Sequence, residues 1–251
     1  FSHTRAERIV APTTEPELPN EQDVIDGLRG PPAPLPPQPT WGALPDRGSV
    51  EFNGETFPAN AVRPHDPIRD LLVKAIKKSE KSIHLALYEF NLPEVMEALR
   101  WAKANRPGID IKIVVDYQHV FPAGMNSRGE ERTRSTEIQA LIDGGFDIEV
   151  LRGVMASGIM HHKMAVFDGK MVEFGSYNWA VTAEKNHFES VKFNTEKKRV
   201  DFYERVFEWM RQQSVPFATA EDHPWNKTWK GRRKSGDQTP MGEADIEFNG
   251  E

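Results

Sequence analysis

The sequence predicts an α/β fold built on a mainly parallel or mixed sheet with helices on its faces. Two patterns support this prediction. Between about residues 66 and 151, short apolar runs typical of strands alternate with segments whose apolar residues recur at helical spacing. From residue 163 to residue 193 the strands instead follow one another through tight turns, which adds antiparallel neighbours to the sheet.

The predicted elements follow from local signals in order along the chain. Asn53-Gly54 between two short apolar runs predicts a type I′ hairpin, and Asp66-Pro67 predicts the N-cap and first position of a helix. Residues 117–132 are predicted to be a long polar loop. The remaining predicted elements are a helix from residue 68, a strand at 82–90, a helix from Pro93, a strand at 109–115, a helix at 136–142, strands at 146–151, 163–167, 171–174 and 190–193, and a helix at 197–213 whose aromatic residues are expected in the core.

Composition describes a polar globular chain. It has 251 residues, of which 28% are charged and 38% hydrophobic, with a net charge of −6. Such an acidic balance does not favour nonspecific nucleic-acid binding, although a local basic cleft can occur on an acidic body. The absence of cysteine excludes disulfides, thiolate zinc sites and cysteine catalysis. No apolar run approaches the roughly 18 residues that a membrane span requires.

The chain is predicted to divide into four segments. Residues 1–48 are proline-rich and predict an extended tail or linker, and residues 49–216 predict one globular domain. Residues 217–245 are polar and basic and predict a connector. Ile246–Glu251 repeats Val50–Glu55 almost letter for letter, which indicates the start of a second copy of the domain. Coincidence or a recurrent surface hairpin is the alternative interpretation.

One polar pattern within this framework indicates chemistry. His161 and Lys163 lie two residues apart in a predicted strand, so they share one face. The next strand returns Ser176 and Asn178 to the same end of the sheet, and Glu189 follows after a loop. A nucleophile, a cation, two neutral donors and a carboxylate at this spacing indicate phosphodiester cleavage through a phosphorylated histidine, without a metal.

The same residues resemble the HKD motif of the phospholipase D superfamily. The resemblance extends over about residues 49–215 and includes the upstream strands Ser82–Phe90 and Ile111–Asp116. It implies a phospholipase D-like α-β-α sandwich with a central mixed sheet and helices on both faces. Five polar positions of fixed identity and spacing make the motif specific: His161, Lys163, Asp168, Ser176 and Asn178, with Gly175 before Ser176 and Glu189 further on.

The resemblance implies roles for a catalytic set of His161, Lys163, Asp168, Asn178 and Glu189. His161 Nε2 would attack phosphorus and form a phosphohistidine, and Glu189 would accept a hydrogen bond from the other ring nitrogen. Lys163 and Asn178 would bind the nonbridging phosphate oxygens and stabilise the transition state. Asp168 is expected to order the turn between two strands and not to touch the substrate.

Three further residues are predicted to help bind the substrate. Ser176 would add a hydrogen bond beside Lys163 and Asn178. His119, in the long polar loop, is expected to line the ligand cleft, although an ordinary surface histidine is an equally good interpretation. His187, close to Glu189, is placed either at the rim or in the site itself. No metal ligands and no cofactor are predicted.

The implied mechanism requires a second histidine, which would protonate the leaving group and then activate water. The chain has no second H-x-K pattern, so the other half of the site is predicted to come from a missing C-terminal repeat or from a homodimer mate. The favoured function is a metal-independent phosphodiesterase that hydrolyses a phospholipid or transfers its phosphatidyl group. An HKD-type endonuclease that cleaves DNA or RNA as a dimer and a non-catalytic binding module are the alternatives. Location is open, with export to the periplasm or medium favoured.

Overall fold

The computed structural model describes residues 47–122, 134–154 and 158–221. The predicted proline-rich tail, most of the predicted connector, the repeated hexapeptide and the middle of the long polar loop lie outside the described residues. The elements within the described ranges are β1 (Ser49–Phe52), β2 (Glu55–Pro58), β3 (Asn60–Val62), α1 (Ile68–Lys78), β4 (Ser82–Leu87), α2 (Pro93–Asn105), β5 (Asp110–Asp116), α3 (Tyr117–Val120), α4 (Thr136–Asp143), β6 (Asp147–Leu151), β7 (Lys163–Phe167), β8 (Met171–Gly175), α5 (Val181–Asn186), β9 (Ser190–Asn194), α6 (Lys197–Gln213), β10 (Val215–Pro216) and α7 (Phe217–Ala220).

Eight strands form one mixed sheet in the order β10-β6-β5-β4-β7-β8-β9-β3, and β1 and β2 form a separate hairpin. Strands β4, β5 and β6 are parallel, whereas β7 runs antiparallel to β4, and β8 and β9 continue the antiparallel pattern. The carboxyl ends of β4–β6 therefore share one edge of the sheet with the amino end of β7. This topology confirms the predicted mixed sheet.

The two faces of the sheet bury separate apolar clusters. On one face Leu85 of β4 packs with Leu72 of α1 and with residues of α2, α4, α5 and α7. On the other face Met164 of β7 packs with Phe207 of α6. Each fully buried Leu or Phe stabilises the fold by about 1.5–3 kcal/mol. Helices on both faces confirm the predicted sandwich of helices around a sheet.

Helix α1 begins differently from the prediction. Its N-cap is Pro67, and no side chain caps it. The carboxylate of Asp66, predicted as the cap, instead accepts the backbone N–H of Val62 at 2.6 Å and a guanidinium N–H of Arg47 at 2.7 Å. The predicted cap is wrong because these two donors, one of them charged, occupy the oxygens that a cap requires.

The aromatic residues of α6 are only partly core. The bounds of this helix match the prediction, and Phe207 is buried, but Phe202 is 51% exposed. Tyr203 is half-buried and stacks on Phe174 with ring centroids 4.7 Å apart. The prediction of a core position is wrong for Phe202. Helix α6 packs on the sheet with one side only, so aromatic residues on its other side are exposed.

Three predicted boundaries also differ from the structure. Strand β4 ends at Leu87, three residues before the predicted end, and the predicted loop after β5 begins with the one-turn helix α3. Beyond residue 216, where the predicted domain ends, Phe217 and Ala220 of α7 are buried in the core. The apolar residues at the start of the polar segment therefore belong to the packed fold.

Candidate active site

The predicted site residues other than Asp168 lie at the edge of the sheet formed by the carboxyl ends of β4–β6. His161 precedes β7 and Lys163 is its first residue, paired with Leu87 at the end of β4. Ser176 follows β8 directly, and Glu189 precedes β9. Antiparallel pairing of β7, β8 and β9 brings these segments side by side, although they are distributed over about 30 residues of sequence.

Tyr88, immediately after β4, forms the centre of this edge. Its ring centroid lies 4.7 Å from the ring of His161, edge to face, and 5.2 Å from the ammonium nitrogen of Lys163. Its backbone N–H donates to the carbonyl of His162 at 2.8 Å. Tyr88 is not among the site residues predicted from the sequence. Its position at the carboxyl end of a central strand is the signal that could have found it.

The environment of His161 favours the neutral imidazole. The residue is exposed, and partial desolvation together with the neighbouring charge of Lys163 lowers the pKa of the ring. A neutral ring keeps a lone pair on one nitrogen, which a nucleophile requires. The site therefore holds His161 in the form that can attack phosphorus near neutral pH.

Lys163 is a largely buried cation at the same edge. Burial lowers the pKa of its ammonium, and the carboxylates of Glu189 and Glu89 act in the opposite direction. Among the described residues its Nζ donates one hydrogen bond, at 3.1 Å to the carbonyl oxygen of His161. An ammonium has three donors, so this one bond leaves donors that can bind an anion beside the imidazole.

Glu189 joins Ser176 to His187. Its carboxylate accepts a hydrogen bond from the hydroxyl of Ser176 and lies 3.5 Å from Nδ1 of His187. Ser176 Oγ in turn accepts the backbone N–H of Ser190 at 3.0 Å. The predicted hydrogen bond between Glu189 and His161 is not among those of the described residues. The carboxylate is engaged by Ser176 and His187 instead.

Gly175 makes this arrangement possible. A Cβ at this position would collide with the carbonyl oxygen of Ser190 on the neighbouring strand. The missing side chain lets the end of β8 approach β9 closely, and the N–H of Ser176 then donates to the same carbonyl at 2.9 Å. The glycine of the motif therefore seats Ser176 beside Glu189.

The backbone, not its own side chain, holds Asn178 in place. The carbonyl of the next residue, Trp179, accepts the N–H groups of Asn91 and Leu92 at 3.1 and 3.0 Å, and Trp179 also forms a bridge to Phe90. The Oδ1 atom of Asn178 is buried and has no hydrogen-bond partner among the described residues. Because Oδ1 only accepts hydrogen bonds, the N–H groups of Nδ2 are the part of this amide that can donate to an anionic ligand.

His119 lies in the wall of the site. Its ring centroid is 6.3 Å from that of Tyr88, and its Nε2 accepts the backbone N–H of Phe90 at 3.4 Å. Burial lowers the pKa of His119, and the carboxylates of Glu89 and Glu137 oppose this effect. The ring is therefore held neutral, with its proton on Nδ1.

A comparison with known protein families shows which family this chain belongs to. The profile of the family described as "Cardiolipin synthase, PLD-like domain" matches residues 72–211 of the 251 in the chain. The chain belongs to this PLD-like family. All the residues of the HKD pattern lie inside the matched region.

Relatives of the PLD-like domain carry lipid-related names. Mitochondrial cardiolipin hydrolase of Xenopus tropicalis is 26% identical over 154 residues, which cover 61% of this chain and 66% of that protein. Phospholipase D of Rickettsia prowazekii is 28% identical over 133 residues, which cover 53% of this chain and 57% of that protein. The chain spans about half to two thirds of the length of the curated relatives it matches.

A solved structure has the same fold. NucT from Helicobacter pylori superposes with a TM-score of 0.53 at 21% identity, and the match covers 63% of this chain and 98% of that chain. At this identity the likeness shows the fold of the PLD-like domain alone.

Asp168 of the PLD-like motif orders the turn between β7 and β8. It adopts a left-handed backbone conformation with φ of 55°, and its carboxylate accepts the side-chain N–H of Asn53 at 2.7 Å. At 3.3 Å per residue, it lies roughly 16 Å along β7 from Lys163. Among the motif residues it is therefore the one that is remote from the candidate phosphate site. Its carboxylate also accepts three backbone N–H groups at 2.7–3.0 Å, those of Glu80, Lys81 and Ser82.

One group of side chains in the described PLD-like domain has the donor set for a metal ion. Ligand atoms of His84, Glu204 and Glu208 lie within 4.8 Å of one another, on the face of the sheet that α6 covers. Burial lowers the pKa of His84, but the carboxylates of Glu204 and Asp110 raise it by more, so the net pKa is raised. A protonated histidine paired with carboxylates accounts for this group, which lies apart from the HKD edge.

Proposed function

We propose that this PLD-like domain supplies one half of the active site of a metal-independent phosphodiesterase that acts through a phosphohistidine at His161. The observation that carries the proposal is the convergence of three groups at one sheet edge. These are the imidazole of His161 with its lowered pKa, the ammonium of Lys163, which donates one hydrogen bond among the described residues, and the amide N–H groups of Asn178.

In the proposed first step, the lone pair of His161 forms an N–P bond and the P–O bond to the leaving group breaks. The leaving oxygen takes a proton from a second acid, and water later hydrolyses the N–P bond. Lys163 and Asn178 bind the nonbridging oxygens, where negative charge develops. The hydroxyl of Ser176 donates its one proton to Glu189, so its proposed part is to hold that carboxylate at the rim of the site.

The second acid is proposed to come from another copy of the domain, either in a C-terminal repeat or in a partner chain. Nε2 of His119 already accepts a backbone N–H, so that nitrogen is not free to deliver a proton to the leaving oxygen. His187 is half-exposed and lies at the carboxylate of Glu189, on the substrate-binding rim. The described part of the chain also has no second H-x-K pattern.

We propose a phospholipid as the substrate, either hydrolysed or used for phosphatidyl transfer. The names of the relatives support this choice, because cardiolipin hydrolase and phospholipase D both denote lipid phosphodiesters. An exported location is compatible with the proline-rich sequence of residues 1–48 and is likewise a proposal. Within the described ranges no helix has the length and apolar character that crossing a membrane requires.

The test uses vesicles of phosphatidylcholine, phosphatidylglycerol and cardiolipin in EDTA, with His161→Ala as the control. We expect release of headgroup or of phosphatidic acid by the wild-type protein and none by the variant. A denaturing quench at alkaline pH during turnover, where the N–P bond survives, should trap a phosphatidyl adduct on the peptide that contains His161, detected by mass spectrometry. Cleavage of DNA or RNA without lipid turnover would instead identify an endonuclease. Absence of both activities, for the full-length protein and its oligomers, would leave a non-catalytic binding module.

A further inference from the structure

Glu173 is an anomalous residue beneath the candidate active site. It lies in β8, between Ala165 of β7 and Phe193 of β9, and is 0% exposed. Neither carboxyl oxygen has a hydrogen-bond partner among the described residues. An apolar residue of similar volume would fill this space without burying two unpaired oxygens, each of which costs free energy. The carboxyl therefore requires an explanation that packing does not supply.

Trp179 is the polar neighbour of this carboxyl. Burial raises the pKa of Glu173 well above its ordinary range, and the indole N–H of Trp179 acts in the opposite direction. The two groups are thus close enough to interact, although their arrangement falls outside ordinary hydrogen-bond geometry. The indole is also fully buried, and its Nε1 has no other partner in the described part of the chain. Each group is the available partner of the other.

Trp179 also connects Glu173 to the phosphate-binding loop. The residue follows Asn178 directly, and its carbonyl ties the loop to the N–H groups of Asn91 and Leu92. Its ring packs edge to face on Phe90 with centroids 6.2 Å apart. A shift of the indole would move this backbone and, with it, the amide of Asn178.

We propose that Glu173 is a positioning residue, whose buried carboxyl, as the neutral acid, anchors the indole of Trp179 and thereby fixes Asn178 toward the bound phosphate. The carbonyl oxygen of a neutral acid accepts the indole N–H, which no apolar side chain can do. The inference rests on the proposed function, because Asn178 acquires a role only if the edge binds a phosphodiester.

Three variants separate positioning from packing. Glu173→Gln keeps an oxygen that accepts the indole N–H, Glu173→Met removes both oxygens at similar volume, and Trp179→Phe removes the N–H. Turnover of the soluble diester bis(4-nitrophenyl) phosphate gives kcat and KM. Titration with inorganic phosphate gives the anion affinity without turnover. Urea unfolding establishes the conditions under which each variant is folded.

We expect Glu173→Met to lower kcat by about 10- to 100-fold, because a small misplacement of a catalytic group has effects of this size. Phosphate affinity should fall as well. Glu173→Gln should stay within about twofold of the wild type, since the acceptor is retained. Trp179→Phe should resemble Glu173→Met, and the double variant should be no worse than either single variant, because both act through one contact.

Two results would overturn the positioning role. One is a folded Glu173→Met variant with wild-type kcat, KM and phosphate affinity. The other is multiplication of the effects of Glu173→Met and Trp179→Phe in the double variant. If Glu173→Met does not fold, wild-type kcat and phosphate affinity in Trp179→Phe would count equally against it. A wild-type protein that binds phosphate without cleaving the diester contradicts the proposed function alone, and one that does neither contradicts both.

Discussion

The motif residues at the two ends of β7 differ in how far their polar groups are hydrogen-bonded. At the end that carries Asp168, the carboxylate accepts three backbone N–H groups and one side-chain amide N–H. At the end that carries His161 and Lys163, the imidazole is exposed and the ammonium makes one hydrogen bond among the described residues. The contacts at the Asp168 end stabilise the fold, whereas the groups at the His161 end can bind a ligand. The stabilising contacts of Asp168 and the candidate catalytic groups therefore lie at opposite ends of the same strand.

The strongest test of this difference removes the nucleophile. His161→Ala should reduce diester cleavage by at least about 1,000-fold, since the covalent step is lost. Thermal unfolding should change little, because the ring is exposed and makes few contacts. His162→Ala is the matched control, an exposed neighbouring imidazole outside the proposed machinery. Equal loss of activity in both variants would contradict the assignment.

At the opposite end, Asp168→Ala should mainly affect stability. Loss of a charged acceptor leaves several N–H groups unpaired and should lower the free energy of unfolding by about 2–4 kcal/mol. The kcat of the folded fraction should remain near that of the wild type. Urea denaturation and steady-state kinetics measure the two effects, with Asp201→Ala on the exposed side of α6 as the control. A large fall in kcat without destabilisation would place Asp168 in the catalytic machinery.

A smaller effect is expected from Ser176→Ala. The hydroxyl donates its one proton to Glu189 and so orients that carboxylate, and its removal should lower kcat/KM about 3- to 10-fold. Kinetics with the soluble diester measure this loss. Ser190→Ala is the matched control, because that residue contributes its backbone groups to the same arrangement. Unchanged kinetics in Ser176→Ala would remove the residue from the substrate-binding set.

The smallest predicted effect concerns the titration of His161. Because the pKa of His161 is lowered, the ring stays neutral and reactive to a lower pH than an ordinary histidine does. Activity should be lost as the pH falls through this lowered pKa. Lys163→Met removes one of the two causes and leaves desolvation, so the pKa should rise toward 6.5. NMR titration of the His161 ring checks the shift. An unchanged pKa in the variant would show that the two side chains do not interact.

Local sequence patterns were sufficient for most elements of this domain. The Asn53-Gly54 hairpin, helix α6 and the turn between β7 and β8 occur where the sequence predicts them. Each is set by neighbours in the chain, through turn residues or apolar spacing. The predicted cap at Asp66 is wrong because its competing donor Arg47 lies 19 residues away in sequence.

The candidate site was predicted in part. The spacing of the motif predicted His161, Lys163, Asn178 and Glu189 as site residues. The fold brings the segments that carry them to one edge of the sheet. The roles of these residues stay proposals. Tyr88 was missed because its contact with His161 depends on the pairing of β4 with β7, strands about 75 residues apart in sequence.

The sequence by itself determined the type of fold, the order of its elements and the chemical groups of the motif, because these depend on spacing along one chain. Only the tertiary structure decided which groups meet and which remain unpaired. Glu173 illustrates the difference. Its place in an apolar strand is visible in the sequence, but its complete burial beside Trp179 depends on helices and strands that cover both faces of the sheet. Burial is a property of the whole packed domain, since it is set by residues distant in sequence.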